Sequence, residues 1–416
     1  MQLRYRLIVA AVGAACATAH AQSTVEIYGT IIPFFENVKT TGATSAAPPA
    51  AERPSQLSAA AYTGLNDARR NRLSAGTSAL GFRGTEKLGG DLTLVWQLES
   101  AFQIDQNTGP GLGARDSKIG LQNRFGEFFF GQWDTPYKYI TLAVNPLRAG
   151  YVFDRTAIPG NPGMGVPSTT TQFTRIGAKP DASFDRRAGN SVQYWSPKLA
   201  GFTFRVAHSV NEGKGTVTAT GPLVSPTINA ASVQYDVGKL SLRYGYEEHK
   251  DYFGMSQIGG SAAGTATNSS SKDHGHKLVV LYRIGSTRLT GLIEQLEYRN
   301  NDSLAGAVRG YKRNAFYGVV EQFFSNSSSV WFSYGRASDG SCTRVGGAAC
   351  STHAIGANYM TTGYIYRFTK RTEVFAAYYR LSNKENGTYS PGPIVGASIA
   401  PGADTIGVGV GMVHYF

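Results

Sequence analysis

The chain has 416 residues, among them 50 Gly, 23 Tyr and 21 Phe, while only 16% are charged. Lys and Arg outnumber Asp and Glu by 40 to 28, but they are scattered rather than run together, which argues against nucleic-acid binding. No apolar run is long enough for a spanning helix of about 20 residues.

At the start, Arg4 and Arg6, the apolar stretch Leu7 to Ala17 and the small-x-small site Ala19-His20-Ala21 read as a secretory signal peptide over 1–21, leaving a mature domain over 22–416. Cys16 raises lipoprotein processing, but Gly13-Ala14-Ala15 lacks the bulky aliphatic residue such sites carry. An exported chain without a spanning helix is either soluble or a barrel, because only helices and closed barrels satisfy every backbone polar group in lipid. The mean hydropathy of −0.21 does not exclude a barrel, since inward polar residues dilute outward apolar ones.

Strand-like segments then follow one another, with no helical periodicity. Residues 25–37 and 73–86 form the first two; in the second, Leu80 and Phe82 point outward and Ala79, Gly81 and Arg83 inward. Residues 91–105 place Leu92, Leu94, Trp96, Leu98, Phe102 and Ile104 on one face, and Thr93, Gln97, Glu99, Gln103 and Asp105 on the other. Side chains of a strand alternate between faces, so this segment has one lipid-compatible side and one wet side. Residues 115–123 and 127–133 make the next pair. An irregular stretch with six prolines runs from there to Arg186, and connections this long tend to be functional. Further strands are expected near 187–196, 201–211, 228–237, 239–250, 273–284, 287–299, 312–324, 329–338, 354–368, 372–383 and 404–416. The total is sixteen, with short and long links alternating as in outer-membrane barrels.

Cys342 and Cys350 are the only cysteines after the leader. They lie in a Gly/Ser-rich segment of an exported chain, where a loop disulfide is expected. Asp273-His274-Gly275-His276 might suggest a metal, but it opens a strand beside a Gly/Ser/Thr loop, so no metal is expected. Trp96 and Trp331, with the many Tyr, are expected in interfacial girdles rather than as stacking platforms for sugars. In the final strand Ile406, Val408, Val410, Met412, His414 and Phe416 share one face, while Gly407, Gly409 and Gly411 share the other. The strand ends on the aromatic pair Tyr415-Phe416.

Thr24 to Gly29, Leu80 to Gly90, Val95 to Phe102, Arg115 to Leu121, Phe125 to Gly131, Asn190 to Pro197 and the final strand together resemble the general porins of Gram-negative bacteria, particularly the beta-proteobacterial branch. The resemblance spans most of the mature chain. It implies an all-β, 16-stranded antiparallel transmembrane barrel in the outer membrane, assembled as a homotrimer, with a third loop folded into the lumen. It further implies wall arginines facing an inward Glu and loop carboxylates. Glu99 matches the inward Glu, with a plain hydrogen-bonded residue as the alternative. Arg115 and Arg187 match wall arginines, Arg115 pointing inward only if a bulge or register change intervenes. Asp154 is the expected loop carboxylate. Ala79, Gln132 and Gln193 stand where relatives carry Arg, so the arginine ladder is expected to be weaker. Arg83, Arg205, Arg243 and Arg380 have inward parity and keep the lumen basic, with a periplasmic-rim ion pair as the second reading of Arg83.

The function implied is passive diffusion of small hydrophilic solutes and ions, with mild anion preference. A substrate-selective channel is the alternative. The expected surroundings are outer-membrane lipid and lipopolysaccharide; no cofactor is expected. An outer-membrane hydrolase would need a Ser-His or Asp-His constellation, and the six mature histidines form none. A soluble lectin-like protein would need neither lipid-facing strands nor the aromatic terminus.

Overall fold

The computed structural model describes residues 23–54, 57–105, 111–147, 153, 157–163, 182–210, 224–255, 265–391 and 399–416. The leader and Asp154 lie outside the described residues. Sixteen antiparallel strands close into a barrel. Strand β1 runs through Thr24–Ile31 and Phe34–Thr41, and β2 through Arg70–Ser74 and Ala79–Gly89. Then come β3 (Leu92–Ala101), β4 (Ser117–Asn123), β5 (Gly126–Asp134), β6 (Arg187–Trp195), β7 (Phe202–Ser209) and β8 (Thr227–Val237). The second half holds β9 (Leu240–Lys250), β10 (Ser271–Ile284), β11 (Thr287–Asn300), β12 (Val308–Phe323), β13 (Ser328–Ala337 with Ser341–Arg344), β14 (Ala357–Arg367), β15 (Thr372–Asn383) and β16 (Asp404–Tyr415).

Three strands are interrupted for local reasons. Pro33 has no N–H to give the ladder in β1. A tight turn with Gly76 at φ +56° interrupts β2, and Gly340 at φ +75° interrupts β13. The break in β2 also explains why β3 stops at Ala101, short of the expected Asp105. Past Ala79, its cross-strand partner, the ladder is gone, and a single bond from Phe102 N–H to the Ser78 carbonyl remains at 3.0 Å.

Closure is made at the terminus. Gly29 and Phe416 exchange two backbone hydrogen bonds of 3.2 Å, and β1 pairs with β16 from there to Thr41. A β-carbon on Gly29 would lie 2.4 Å from the Phe416 ring, so only glycine leaves room for the terminal aromatic. Sealing the ring removes every open edge from the lipid.

The two faces differ as alternation requires. Val25, Ile27, Leu98, Ile119, Leu121, Phe128, Phe130, Phe204, Ile293, Val408 and Val410 stand exposed on the outside. No described helix is long and apolar enough to cross a membrane; the strands do the crossing. The inner face, however, is not uniformly polar. Val279, Leu281, Leu292, Val319, Trp331, Ile365 and Phe375 are buried in one cluster with Ile140, Val144, Leu147, Phe153 and Ile158 of the β5–β6 connection. Trp331 therefore lies inside, donating to Thr361 Oγ1 at 3.0 Å, and not in an interfacial girdle.

Candidate pore constriction

The described part of the β5–β6 connection (135–147, 153, 157–163 and 182–186) enters the barrel through the short helix α1 (Pro136–Tyr139). Thr135 caps it, its Oγ1 accepting from Lys138 N–H at 3.3 Å, and proline occupies the first turn, where no N–H is needed. The helix seats on glycine. A β-carbon on Gly245 of β9 would meet Ile140 Cδ1 at 2.9 Å, and one on Gly275 of β10 would meet Phe184 at 2.7 Å. Two inward glycines on neighbouring strands thus form the recess that receives the loop.

A buried carboxylate anchors it. Glu294 of β11 is inward and enclosed; its oxygens accept from Gly160 N–H at 2.8 and 2.7 Å and from the Tyr137 hydroxyl at 2.7 Å. Lys277 lies 3.7 Å and Arg313 3.5 Å from the same carboxylate, and Arg313 also donates to the Ile158 carbonyl at 2.8 Å. Sequence alternation places all three inside, yet nothing in their spacing shows that a loop will bind them.

Opposite this anchor lies a wall of paired charges. Glu99 Oε1 accepts from Arg115 Nε at 2.6 Å, and Oε2 from the Tyr28 hydroxyl at 3.0 Å. Arg115 precedes β4, so the parity of Ile119 and Leu121 does not bind it. Its own N–H reaches the Glu99 carbonyl at 2.9 Å. Arg187 Nε donates to Asp116 Oδ1 at 2.7 Å and sits 3.5 Å from Asp134, which Lys138 of α1 also holds at 3.0 Å. Asp116, Asp134 and Lys138 complete this network without having been legible as site residues. They fall at strand ends and in the loop, where no alternation points to a partner. Arg72 is held by Glu36, at 2.6 Å from Nε, and Tyr379 donates to the other oxygen at 2.8 Å.

The remaining expected residues fall in different places. Arg83 is inward but paired with Glu26, at 2.8 and 2.9 Å, near the end of the barrel that carries the short turns. Arg205 of β7 and Arg243 of β9 are inward and, among the described residues, form no ion pair. Arg205 lies over the Tyr139 ring at 4.2 Å, and its Nε and Nη1 have no hydrogen-bond partner. Arg243 donates to the Ile140 carbonyl at 3.1 Å and to Ser241 at 3.0 Å. Arg380 departs from its expected inward position. Its cross-strand neighbour is Ile406, on the lipid-facing side with Val408, and it pairs with Asp404 at 2.8 Å. Phe375, Tyr379 and Leu381 take the inward side of β15 instead, because Phe153 and Glu36 cover them there.

Of the positions expected to weaken the ladder, Ala79 and Gln193 are buried, and Gln132 donates to the carbonyls of Ala114 and Arg115 at 2.7 and 3.2 Å. Cys342 and Cys350 are disulfide-bonded, with Cα atoms 5.7 Å apart, in the long β13–β14 connection region. Among the described residues no group of three His, Cys, Asp or Glu converges as a metal site. His274 and His276 face outward and meet Tyr246 at 2.9 Å and Tyr244 at 2.8 Å.

A family model described as Gram-negative porin matches residues 8–386. Outer membrane porin protein 32 of Delftia acidovorans is 26% identical over 427 residues, covering all of both chains. A porin of Bordetella pertussis is 29% identical over 185 residues, 41% of this chain and 42% of that one. Among solved structures, the anion-selective porin from Comamonas acidovorans superposes with a TM-score of 0.68 at 21% identity, covering 95% of this chain and 100% of the other. The trimer form of OmpT of Vibrio cholerae gives 0.56 at 14% identity over 95% and 99%.

Proposed function

The chain belongs to the Gram-negative porin family and is an outer-membrane diffusion channel, and from that premise we propose that it passes small hydrophilic solutes and ions with a mild preference for anions. The observation that carries the preference is the charge pairing on the wall. Arg72, Arg115 and Arg187 are each in a direct ion pair with a carboxylate, whereas Arg205 and Arg243 make none among the described residues and share only the electrostatic influence of Asp236. Two inner-wall guanidiniums set against one shared carboxylate, Asp236, leave an excess of positive charge that raises the local concentration of anions. Arginine suits the task because its charge is permanent. A water-filled path also spares a polar solute the cost of entering hydrocarbon. The anion-selective title of a structural neighbour points the same way.

The working unit is a homotrimer embedded in lipid and lipopolysaccharide, released from a leader ending near Ala21. The trimeric form of a structural neighbour supports the assembly, and no chemical step or cofactor enters the reading. The deciding experiment is the reversal potential across a planar bilayer holding purified protein in a KCl gradient. A shift toward the chloride potential is expected. A clear shift toward potassium would mean that the carboxylates of the inserted loop govern the eyelet, and would overturn the preference.

A further inference from the structure

The two unpaired arginines do not stand alone. Trp195 is the cross-strand partner of Arg205, and the guanidinium lies 5.0 Å from its ring. Tyr139 of α1 packs on Trp195 at 4.7 Å, with the rings 62° apart. Both aromatic rings are only partly covered, as are both arginines. Trp195 also packs edge-to-face with Phe129 at 5.5 Å and Trp133 at 6.0 Å, and Lys118 lies 5.4 Å from its ring and 4.5 Å from that of Trp133. Lys118 is already paired with Glu127, so the positive charge in excess belongs to Arg205 and Arg243, which Asp236 offsets only in part.

We propose that Tyr139, Trp195, Arg205 and Arg243 form a subsite for small aromatic carboxylates, of which benzoate is the simplest. The proposal rests on the anion-preferring reading and gives it a solute class. Guanidinium donors suit a carboxylate through charge-assisted hydrogen bonds. Nε and Nη1 are engaged in Arg243 and buried in Arg205, so a carboxylate bridges the outer Nη2 groups of the two side chains rather than one fork. Flat, partly open rings suit a second ring, edge-on or offset. A neutral sugar fits less well. It needs acceptors as well as donors beside the stacking face, and the carboxylates nearby are engaged, Glu127 by Lys118 and Asp236 by Gln234. An aliphatic acid meets the arginines but gains nothing from the ring edges. Tyr139 belongs to α1 of the inserted loop, so a solute held here narrows the path beside that loop and registers as an interrupted ion current.

The test compares benzoate with cyclohexanecarboxylate, equal in charge and close in size but without a π-face, in bilayers holding the full-length trimer in KCl. Benzoate is expected to block chloride current saturably, at a half-blocking concentration about two- to tenfold lower than that of cyclohexanecarboxylate. Trp195→Leu is expected to bring benzoate to the level of the aliphatic acid, and Arg205→Gln to weaken both. Tyr139→Leu carries the same test should Trp195→Leu not assemble into heat-modifiable trimers. Equal block by the two acids, or benzoate block unchanged in both ring variants, overturns the proposal. The KCl reversal potential, read in the same membranes, separates the two failures. Anion preference without benzoate discrimination sinks the subsite alone, and no anion preference sinks the reading beneath it.

Discussion

Glu294→Gln tests whether the inserted loop is held by charge. The wild-type carboxylate is enclosed, 3.7 Å from Lys277 and 3.5 Å from Arg313. At an effective dielectric of about 20, each such pair is worth roughly 4 kcal/mol before desolvation is subtracted. Measured losses on removing one partner of a buried pair are about 3–5 kcal/mol, much of it the cost of the stranded charge. The amide keeps one acceptor oxygen for Gly160 N–H or the Tyr137 hydroxyl, so the loop loses charge assistance rather than every bond. Hydrogen bonds to a charged group run to about 1.5–3 kcal/mol against about 1 kcal/mol for neutral ones. Loop docking should therefore weaken by about 1–3 kcal/mol, enough to free the segment around Gly160 from its register while the apolar residues stay packed. The readouts are single-channel conductance, open-channel noise and protease cleavage within 135–186. Higher mean conductance, more noise and faster cleavage are expected. The double variant Glu294→Gln with Lys277→Gln should recover part of the loss, because one of the two stranded cations is gone while Arg313 keeps its bond to the Ile158 carbonyl. Conductance, noise and cleavage all unchanged in folded trimers would refute electrostatic anchoring.

Three further outcomes are expected. Arg205→Gln together with Arg243→Gln should abolish most of the anion preference while leaving trimer assembly intact, read as a reversal potential near zero. Gly245→Leu fills the recess under Ile140, whose Cδ1 would lie 2.9 Å from the new β-carbon. Overpacking of this kind costs about 1–3 kcal/mol, and the variant should reproduce the noisy conductance of Glu294→Gln without any change of charge. Replacing Cys342 and Cys350 by Ser opens a link spanning a sequence separation of 8. The chain-entropy relation gives about 2–3 kcal/mol for a loop of that size, felt as faster proteolysis of this connection, with conductance unaltered.

Much of the architecture was legible because alternation is a geometric property of strands. All sixteen strands lie where the sequence puts them, to within a few residues at most ends, and the Phe416 terminus seals the ring. Alternation loses its power where both faces are apolar. In β15, Val374, Ala376 and Tyr378 compete with Phe375, Ala377 and Tyr379, and sequence alone gives no reason to send the larger set inside. The structure sends it inside because Phe153 of the loop covers it. Arg380 goes outward as a consequence, and Trp331 is carried inward by the same packing. The charge network was half legible for a related reason. Glu99, Arg115 and Arg187 could be named from the resemblance. Their partners Asp116, Asp134 and Lys138 lie at strand ends and in the loop, where contact is made across the fold rather than along the chain.

That inner apolar surface bears on how the channel works. A loop held only by polar contacts would exchange them with lumen water at little net cost, since an intramolecular hydrogen bond contributes about 1 kcal/mol over its hydrated alternative. Here Ile140, Val144, Leu147, Phe153 and Ile158 are all but fully buried against the wall. Burying each large side chain contributes about 1.5–3 kcal/mol. The loop therefore behaves as part of the barrel's core, and Glu294 decides its register rather than supplying most of its hold. Two consequences separate this picture from a flap hinged over the pore. Salt, which screens exposed charge within about 8 Å at physiological strength, should change ion preference far more than mean pore size. Cooling, which weakens apolar burial, should loosen the loop before any screening of Glu294 does.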